Sequence, residues 1–456
     1  MKRFWRVSAG LLTVLLFCTL TLWRHEALPD MSGVTAAWQK ASDRIDRTAA
    51  GIGDAISNVI SRPTEAPSGD KQQIYADYDL SAPVDATLEE AICKGLAARE
   101  AKIDISAHQL TVAELENAMA QVQYSHPEFF YVASRYSYTT AGGIVRGVEP
   151  EYQYNEAETA RMSAVYDATI AGITAGVDPA WSDFDKALYL HDYFVRNYTY
   201  DYTYTIRDAA TFFEKKTGVC QAYMLALIAA GNAVGLEVLP VTSSEMLHAW
   251  NLVRVDGEWY HVDITWDDSA PNPAETSYLY FLQSDNGLAT TDNGTENPHR
   301  KWTSPVAATA TKYDSAAYHG SATPMLKSGG TYYCVVSTTE GRSSSRQHGA
   351  IFAGTDVTAM TAVHWITAEW MADAKSCYVA CFSGLCLYEG KLIYNTATSV
   401  RMYDPAGGKD TALGIVTLSG NALYGIYGIT GRTVTLIAGN SPQDTDFKTI
   451  SYIIIA

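Results

Sequence analysis

Positive charge is scarce in this 456-residue chain, which has 33 Lys and Arg against 50 Asp and Glu, a net charge of −17. A surface this acidic repels phosphate backbones and anionic headgroups, so a nucleic-acid partner is excluded from the expectation. Charged residues of both signs make up only 18%, while hydrophobic residues make up 47%. That balance argues against disorder and for real cores, with two or three domains at roughly 100–200 residues each. None of the seven cysteines lies in a CxxC pair, so zinc-ribbon spacing is missing. No EF-hand loop occurs either, and calcium dependence is not implied. The expectation is no metal and no cofactor.

What is present begins at the N-terminus. Lys2, Arg3 and Arg6 precede an uncharged run from Val7 to Trp23, which Arg24 closes. Such a run can just span a bilayer, and its basic flank belongs in the cytoplasm. Small residues at a cleavage point are missing after Trp23, where Arg-His-Glu-Ala-Leu-Pro follows. An uncleaved signal anchor over 1–30 is therefore favoured over a cleaved signal peptide, which would leave the protein secreted. Phe17 before Cys18 argues against a lipoprotein cysteine.

Helical spacing of Ile45, Ile52, Ile56, Val59 and Ile60 suggests a stalk, and Arg62–Gln73 reads as a linker, together covering 31–73. Residues 74–176 read as a small α/β domain. Thr87 with Glu90 and Thr111 with Glu114 signal capping boxes. Phe129–Thr139 and Ile144–Tyr154 flank Gly142-Gly143 as a hairpin, with a helix after Asn155. Residues 177–304 open with a helix from Ser182 to Asn197. A tyrosine-rich link follows, then an apolar helix from Cys220 to Gly235. Strands are expected over Leu236–Thr242, His248–Val255 and Glu258–Trp266, the last two joined by the hairpin dipeptide Asp256-Gly257. Residues 305–456 read as all-β, with strands at Cys377–Phe382, Lys391–Tyr394, Val400–Tyr403 and Ala422–Ile429. Their spacing is faintly propeller-like, without a repeat firm enough to assert one. Cys334, Cys377, Cys381 and Cys386 cluster here, either as disulfides or as buried thiols. Cys93 lies in the earlier domain.

The chemistry concentrates in 177–304. Cys220 follows Gly218 at a helix start, where N–H groups and the helix dipole favour a thiolate. Lys215 and Lys216 are close enough in sequence to add to this. If Asp256-Gly257 makes a two-residue turn, Val255 pairs with Glu258, Trp250 with Asp263 and His248 with Thr265. His248, Trp250, Asp263 and Thr265 then share a face, with His248 and Asp263 as diagonal neighbours. A carboxylate there can hold the imidazole tautomer and stabilise its protonated form. His261, opposite Leu252, lies on the same face and is a rival base, and the register does not choose between them. Asp267 and Asp268 read as loop or cap residues.

The run Gly218-Val-Cys-Gln-Ala-Tyr223 resembles the nucleophile motif of the transglutaminase-like superfamily, a papain-type thiol fold. The run from His248 to Asp263, and Ile264-Thr-Trp-Asp-Asp268 after it, resemble its histidine and aspartate motifs in the bacterial branch. Leu190–Asp201 resembles the segment before the nucleophile, and 74–176 resembles the extension found there in bacterial surface proteins. The resemblance implies an α+β fold with a transglutaminase-like catalytic domain, preceded by a small α/β domain and followed by a β-rich one. It implies Cys220 as nucleophile, His248 as general base and Asp263 as orienter, with His261 outside the catalytic set. Ala222 stands where the family often has Gly. One oxyanion donor is the Cys220 N–H; Tyr198 and Tyr200 are candidates for the second.

Two functions follow from different classes. The first is an extracytoplasmic thiol enzyme acting on protein or peptide substrates, including cell-wall-associated ones, by acyl transfer to an amine or to water. The second is a catalytically inactive cell-surface binding or scaffold protein.

Overall fold

In a computed structural model, Ser68–Ala456 forms one compact unit. The structure describes residues 71–72, 78–268, 272–291, 299–337, 347–372, 376–378, 380–418 and 422–455. The signal anchor and nearly all of the stalk and linker lie outside the described residues. Among the described residues, no helix is long and apolar enough to cross a membrane.

The chain opens with β1 (Lys71–Gln72), α1 (Ala86–Ala97), β2 (Ile103–Asp104), α2 (Val112–Ser125), β3 (Val132–Ala141) and β4 (Ile144–Tyr152). The strands form an antiparallel sheet in the order β1-β3-β4-β2. Gly142 and Gly143 turn the β3–β4 hairpin at φ of 61° and 80°, a conformation costly for a side chain. The Thr111–Glu114 capping box forms at α2. The expected box at Thr87 does not, because Asp85 takes the N-cap and accepts from the Thr87 and Leu88 N–H groups. An aspartate one residue before the helix satisfies the same orphan donors that the box would have served.

Next come α3 (Glu156–Ala175), α4 (Asp183–Asn197), β5 (Thr199–Tyr200), α5 (Ala209–Lys215), β6 (Thr217–Gly218) and α6 (Cys220–Ala233). They are followed by β7 (Val238–Ser243), β8 (His248–Val255), β9 (Glu258–Val262), α7 (Ile264–Asp267), β10 (Phe281–Gln283) and α8 (Asp285–Thr290). Every residue of α6 from Ala222 to Gly231 is buried, as its apolar sequence requires. It packs against β7 and β8 on one side and α3, α4 and α5 on the other. The sheet order is β10-β9-β8-β7. One apolar core runs from Leu80 to Met360 and so joins all the segments around α6.

Beyond it, β11 (Leu326–Ser328), β12 (Thr331–Ser337), β13 (Gln347–Gly354) and β14 (Thr361–Thr367) form one antiparallel meander. A second holds β15 (Leu385–Tyr388), β16 (Lys391–Asn395), β17 (Ser399–Asp404) and β18 (Lys409–Ile415). A third holds β19 (Ala422–Thr430), β20 (Thr433–Gly439) and β21 (Lys448–Ile453). The C-terminal part is thus β-rich. Cys377–Phe382, expected as a strand, contributes only a bridge from Cys377 to Met371 among the described residues. Cys93, Cys334, Cys381 and Cys386 are free thiols. Burial pushes the Cys334 and Cys386 thiols up to about 12.

Candidate functional site

The β8–β9 hairpin follows its turn chemistry. Asp256 and Gly257 have φ of 53° and 84°, the left-handed pair of a two-residue turn whose twist matches the strands. Val255 pairs with Glu258, Leu252 with His261 and Asn251 with Val262. There the expected register stops. β9 ends at Val262 rather than Trp266, and the pairings of Trp250 with Asp263 and of His248 with Thr265 are not made. Asp263 instead becomes the N-cap of α7, its Oδ1 accepting the Trp266 N–H at 3.2 Å. An aspartate side chain offers the backbone a local alternative to the ladder, and here that alternative wins.

The bend brings the carboxylate to the imidazole. His248 Nε2–H donates to Asp263 Oδ2 at 2.6 Å. Cys220 is the second group that acts on this imidazole, and its side chain helps to raise the His248 pKa. The ring is also sandwiched between the indoles of Trp250 and Trp266, with centroids 5.4 and 5.2 Å away and planes within 26°. Burial alone would lower the His248 pKa. The Asp263 charge and hydrogen bond, with help from Cys220, instead raise it to about 10, and two indole faces favour the cation further. Asp263 is fully buried, which pushes its carboxyl up. The His248 charge and the hydrogen bonds from His248 and His299 outweigh this and hold it well below the usual carboxylate range.

Backbone geometry presents Cys220. Val219 is the N-cap of α6 and has no capping side chain, which leaves the first N–H groups of the helix facing the thiol end. Gly218 is required by space, since a Cβ there would come within 2.6 Å of the Phe212 ring and 2.7 Å of Ala222 Cβ. β5 pairs in parallel with β6, which ties the tyrosine-rich link to the residue pair just before Val219. The Asp201 carboxylate fastens that link by accepting from Thr203, Thr205 and Ile206 N–H groups. Tyr200 is thereby held beside Cys220, and burial and the cysteine both raise its phenol pKa. Tyr202 and Tyr204 stand edge-on to it, 65% and 44% exposed.

Other expectations are corrected. Lys216 Nζ donates to the Tyr198 hydroxyl at 2.7 Å, and Lys215 pairs with Glu214 at 3.0 Å, so both lysines are engaged away from the thiol. Tyr198 is a core residue stacked on Phe212. His261 accepts the Trp250 indole N–H on Nδ1 at 3.0 Å and donates from Nε2 to Asp285 at 2.8 Å. With both nitrogens committed, and its pKa lowered by burial, it does not face the thiol as a base. Asp267 is no loop residue. It is buried and binds His191 Nε2 at 3.2 Å, the Ser277 hydroxyl at 2.8 Å and the Tyr280 N–H. Asp268 accepts from the Tyr223 hydroxyl, and burial pushes its carboxyl up to about 8.

Sequence reasoning missed His299. Its Nε2–H donates to the same Asp263 Oδ2 at 2.8 Å. The segment bearing it is clamped to the free edge of β7, through Thr242–Thr303 bonds of 3.1 and 2.8 Å and Ser243 to the Arg300 carbonyl at 2.9 Å. The polar stretch before it has no periodicity that could have announced it. The ligand-type atoms of His248, Asp263 and His299 lie within 4.8 Å of one another, a span a transition metal can bridge. The 2.6 and 2.8 Å separations are nevertheless those of shared protons. A metal about 2.0–2.2 Å from each atom would need them to move apart.

Two clefts lie elsewhere. The larger, about 640 Å³, runs along α4 and is lined by Trp181, Tyr189, Tyr193, Arg196, Lys327 and Tyr427 among others; neither cleft is lined by Cys220, His248 or Asp263.

Comparison with known proteins agrees with the motif reading. Residues 167–264 match the family described as the transglutaminase-like superfamily, a span that includes Cys220, His248 and Asp263. A solved structure titled "Crystal structure of a TGase" aligns at 15% identity with a TM-score of 0.20, covering 30% of this chain and 45% of that chain. The chain thus spans less than half of that protein's length. The search of curated proteins returns no match.

Proposed function

From the transglutaminase-like domain that residues 167–264 match, we propose that this protein is a cysteine-dependent acyltransferase or amidase acting on protein or peptide substrates. The observation that carries the reading is that His248 has two partners, Asp263 bonded to Nε2 and the Cys220 side chain, both of which raise its pKa. His248 holds the thiol's proton as an imidazolium, and the thiolate attacks the amide carbonyl carbon. The resulting oxyanion is met by N–H groups at the start of α6. As the C–N bond breaks, the imidazolium gives its proton to the departing amine, leaving a thioester on Cys220. An amine or water then attacks the thioester, with His248 accepting its proton and the thiol released. Exposed Tyr202 and Tyr204 next to Tyr200 offer an acceptor-strand surface of the kind aromatic side chains give to peptides. The basic flank before Val7 supports an extracytoplasmic domain, and protease added to intact cells should then degrade it.

The test is a thiol-directed probe on the purified ectodomain. Cys220 is labelled first among the cysteines, and labelling near neutral pH slows sharply in His248→Ala. Equal labelling with and without His248 removes the reading. It would favour an inactive binding protein, to which the aromatic-lined 640 Å³ cleft away from Cys220 would be suited.

A further inference from the structure

We propose that His299 is a positioning residue that shares the Asp263 carboxylate with His248 and tempers its hold on the imidazole. The inference deepens the thiol-enzyme reading and rests on it for its consequence, but not for its measurement.

Asp263 Oδ2 accepts two side-chain N–H groups, from His248 at 2.6 Å and from His299 at 2.8 Å, while Oδ1 takes the Trp266 amide at 3.2 Å. The buried carboxylate is therefore pinned from three directions and cannot rotate without losing a donor. Among the described residues Asp263 is the hydrogen-bond partner of the His299 ring, whose buried Nδ1 has none there. The ring sits among Trp266, Trp250 and Tyr280, at centroid distances of 4.1, 4.8 and 5.0 Å. A proton on Nδ1 would put a second charge among these rings, facing His248 and His261 with no acceptor. Burial and those two histidines lower the His299 pKa against the pull of Asp263. His299 is thus a neutral donor, adding a hydrogen bond to the carboxylate without competing for the role of cation.

Sharing has a direction. When His248 loses its proton, Asp263 is left as an uncompensated buried anion, and the His299 donor stabilises that state most. His299 therefore makes it easier for His248 to give up its proton, which the step that protonates the departing amine requires. Without His299, Oδ2 would be given over to His248 and would favour the imidazolium over the neutral ring more strongly. The groups that set this balance are Asp263, Cys220 and His299 around His248, with His261 behind Trp250.

The measurement is an NMR titration of the His248 ring in His299→Leu, which removes the donor at similar volume, and in His299→Gln, whose side-chain amide N–H can replace it. His299→Leu should raise the apparent His248 pKa by about one unit, a tenfold change in proton affinity, and move the Nε2–H proton further downfield. His299→Gln should titrate within a few tenths of a unit of the wild type. A wild-type titration in His299→Leu overturns the proposal. So does a His299→Gln shift of about one unit, and this result decides the matter even where the leucine variant does not fold. Failure of the thiol-enzyme reading looks different: Cys220 labelling indifferent to His248, whatever the His299 variants do.

Discussion

Two buried histidines in this protein are built from the same parts and do different things. His191 on α4 donates from Nδ1 to Asp192 at 3.0 Å and from Nε2 to Asp267 at 3.2 Å. Against burial, the two carboxylates raise its pKa to about 9. His248 also has a carboxylate partner and a pKa raised, against burial, to about 10. The difference lies in what faces the second side of the ring. The His191 cluster is closed, with Tyr278 donating to Asp192 at 2.7 Å and Ser277 and the Tyr280 amide filling Asp267. It braces α4 against the turn after β9. The His248 ring keeps one side for a thiol at a helix N-terminus. A raised histidine pKa therefore marks a buried charge pair, and only the group on the remaining nitrogen tells a brace from a base.

The comparison breaks most visibly at His248. His248→Ala should slow Cys220 chemistry in the folded fraction by about 10²–10⁴, the usual cost of losing a general base, and should also lower the unfolding midpoint, because fully buried Asp263 loses its cation. Asp263→Asn should act through the same imidazole. The double variant should then lose far less than the product of the single losses, as residues acting as a unit do. Additive losses in the labelling assay would mean that Asp263 works independently of His248.

His191 should show the opposite pattern. His191→Gln leaves Asp192 and Asp267 short of a cation inside the fold, and breaking such a buried pair costs about 3–5 kcal/mol. The folded fraction should still label at Cys220 at the wild-type rate. The pH dependence sharpens this. His191 has its folded pKa raised above its unfolded value of about 6.5, so its contribution is fully present below that pH. It is lost as pH rises through about 9. Asp268, raised by burial to about 8, gives a slope of the same sign at lower pH, from its unfolded value near 4 upward. Urea midpoints of the wild type should therefore fall with rising pH, and His191→Gln should lack the part of that fall between about pH 6.5 and 9. A variant as steep as the wild type there would show that His191 is not charged in the folded protein.

Much of this site was legible because it is local. Asp256-Gly257 announced the turn and with it the register from Val255 and Glu258 to Asn251 and Val262, and Gly218 before Cys220 announced the helix start. Reading failed where an aspartate chose between two local bonding schemes. Asp85 took the cap from Thr87, and Asp263 left the ladder to cap α7; propensity does not separate those outcomes. It failed again where partners are far apart in the chain. His191 and Asp267 are 76 residues apart and Asp263 and His299 are 36 apart, with no period linking either pair. The strand assignment at Cys377–Phe382 failed because apolar content alone does not say which of two neighbouring runs pairs. Leu385–Tyr388 does so instead.

The smallest effect should come from Lys215. Its place just before Cys220 in the chain suggested a second source of thiolate stabilisation, and a positive charge near a thiol does lower its pKa. In the fold, however, Lys215 is 57% exposed and pairs with Glu214, which is itself held by Arg161. An exposed charge already paired and open to salt contributes little at a distance. Buried charges such as the His248–Asp263 pair are screened far less. Lys215→Gln should accordingly leave the Cys220 alkylation profile within about 0.2 units of the wild type at 0.15 M salt, and within about 0.5 units at 0.01 M, where the Debye length grows to roughly 30 Å. His248→Ala should change the profile strongly at both salts. If instead the lysine variant shifts the profile as far as the histidine variant, and salt erases both shifts, then diffuse surface charge activates the thiol, and the contrast between an open and a closed histidine loses its meaning for this site.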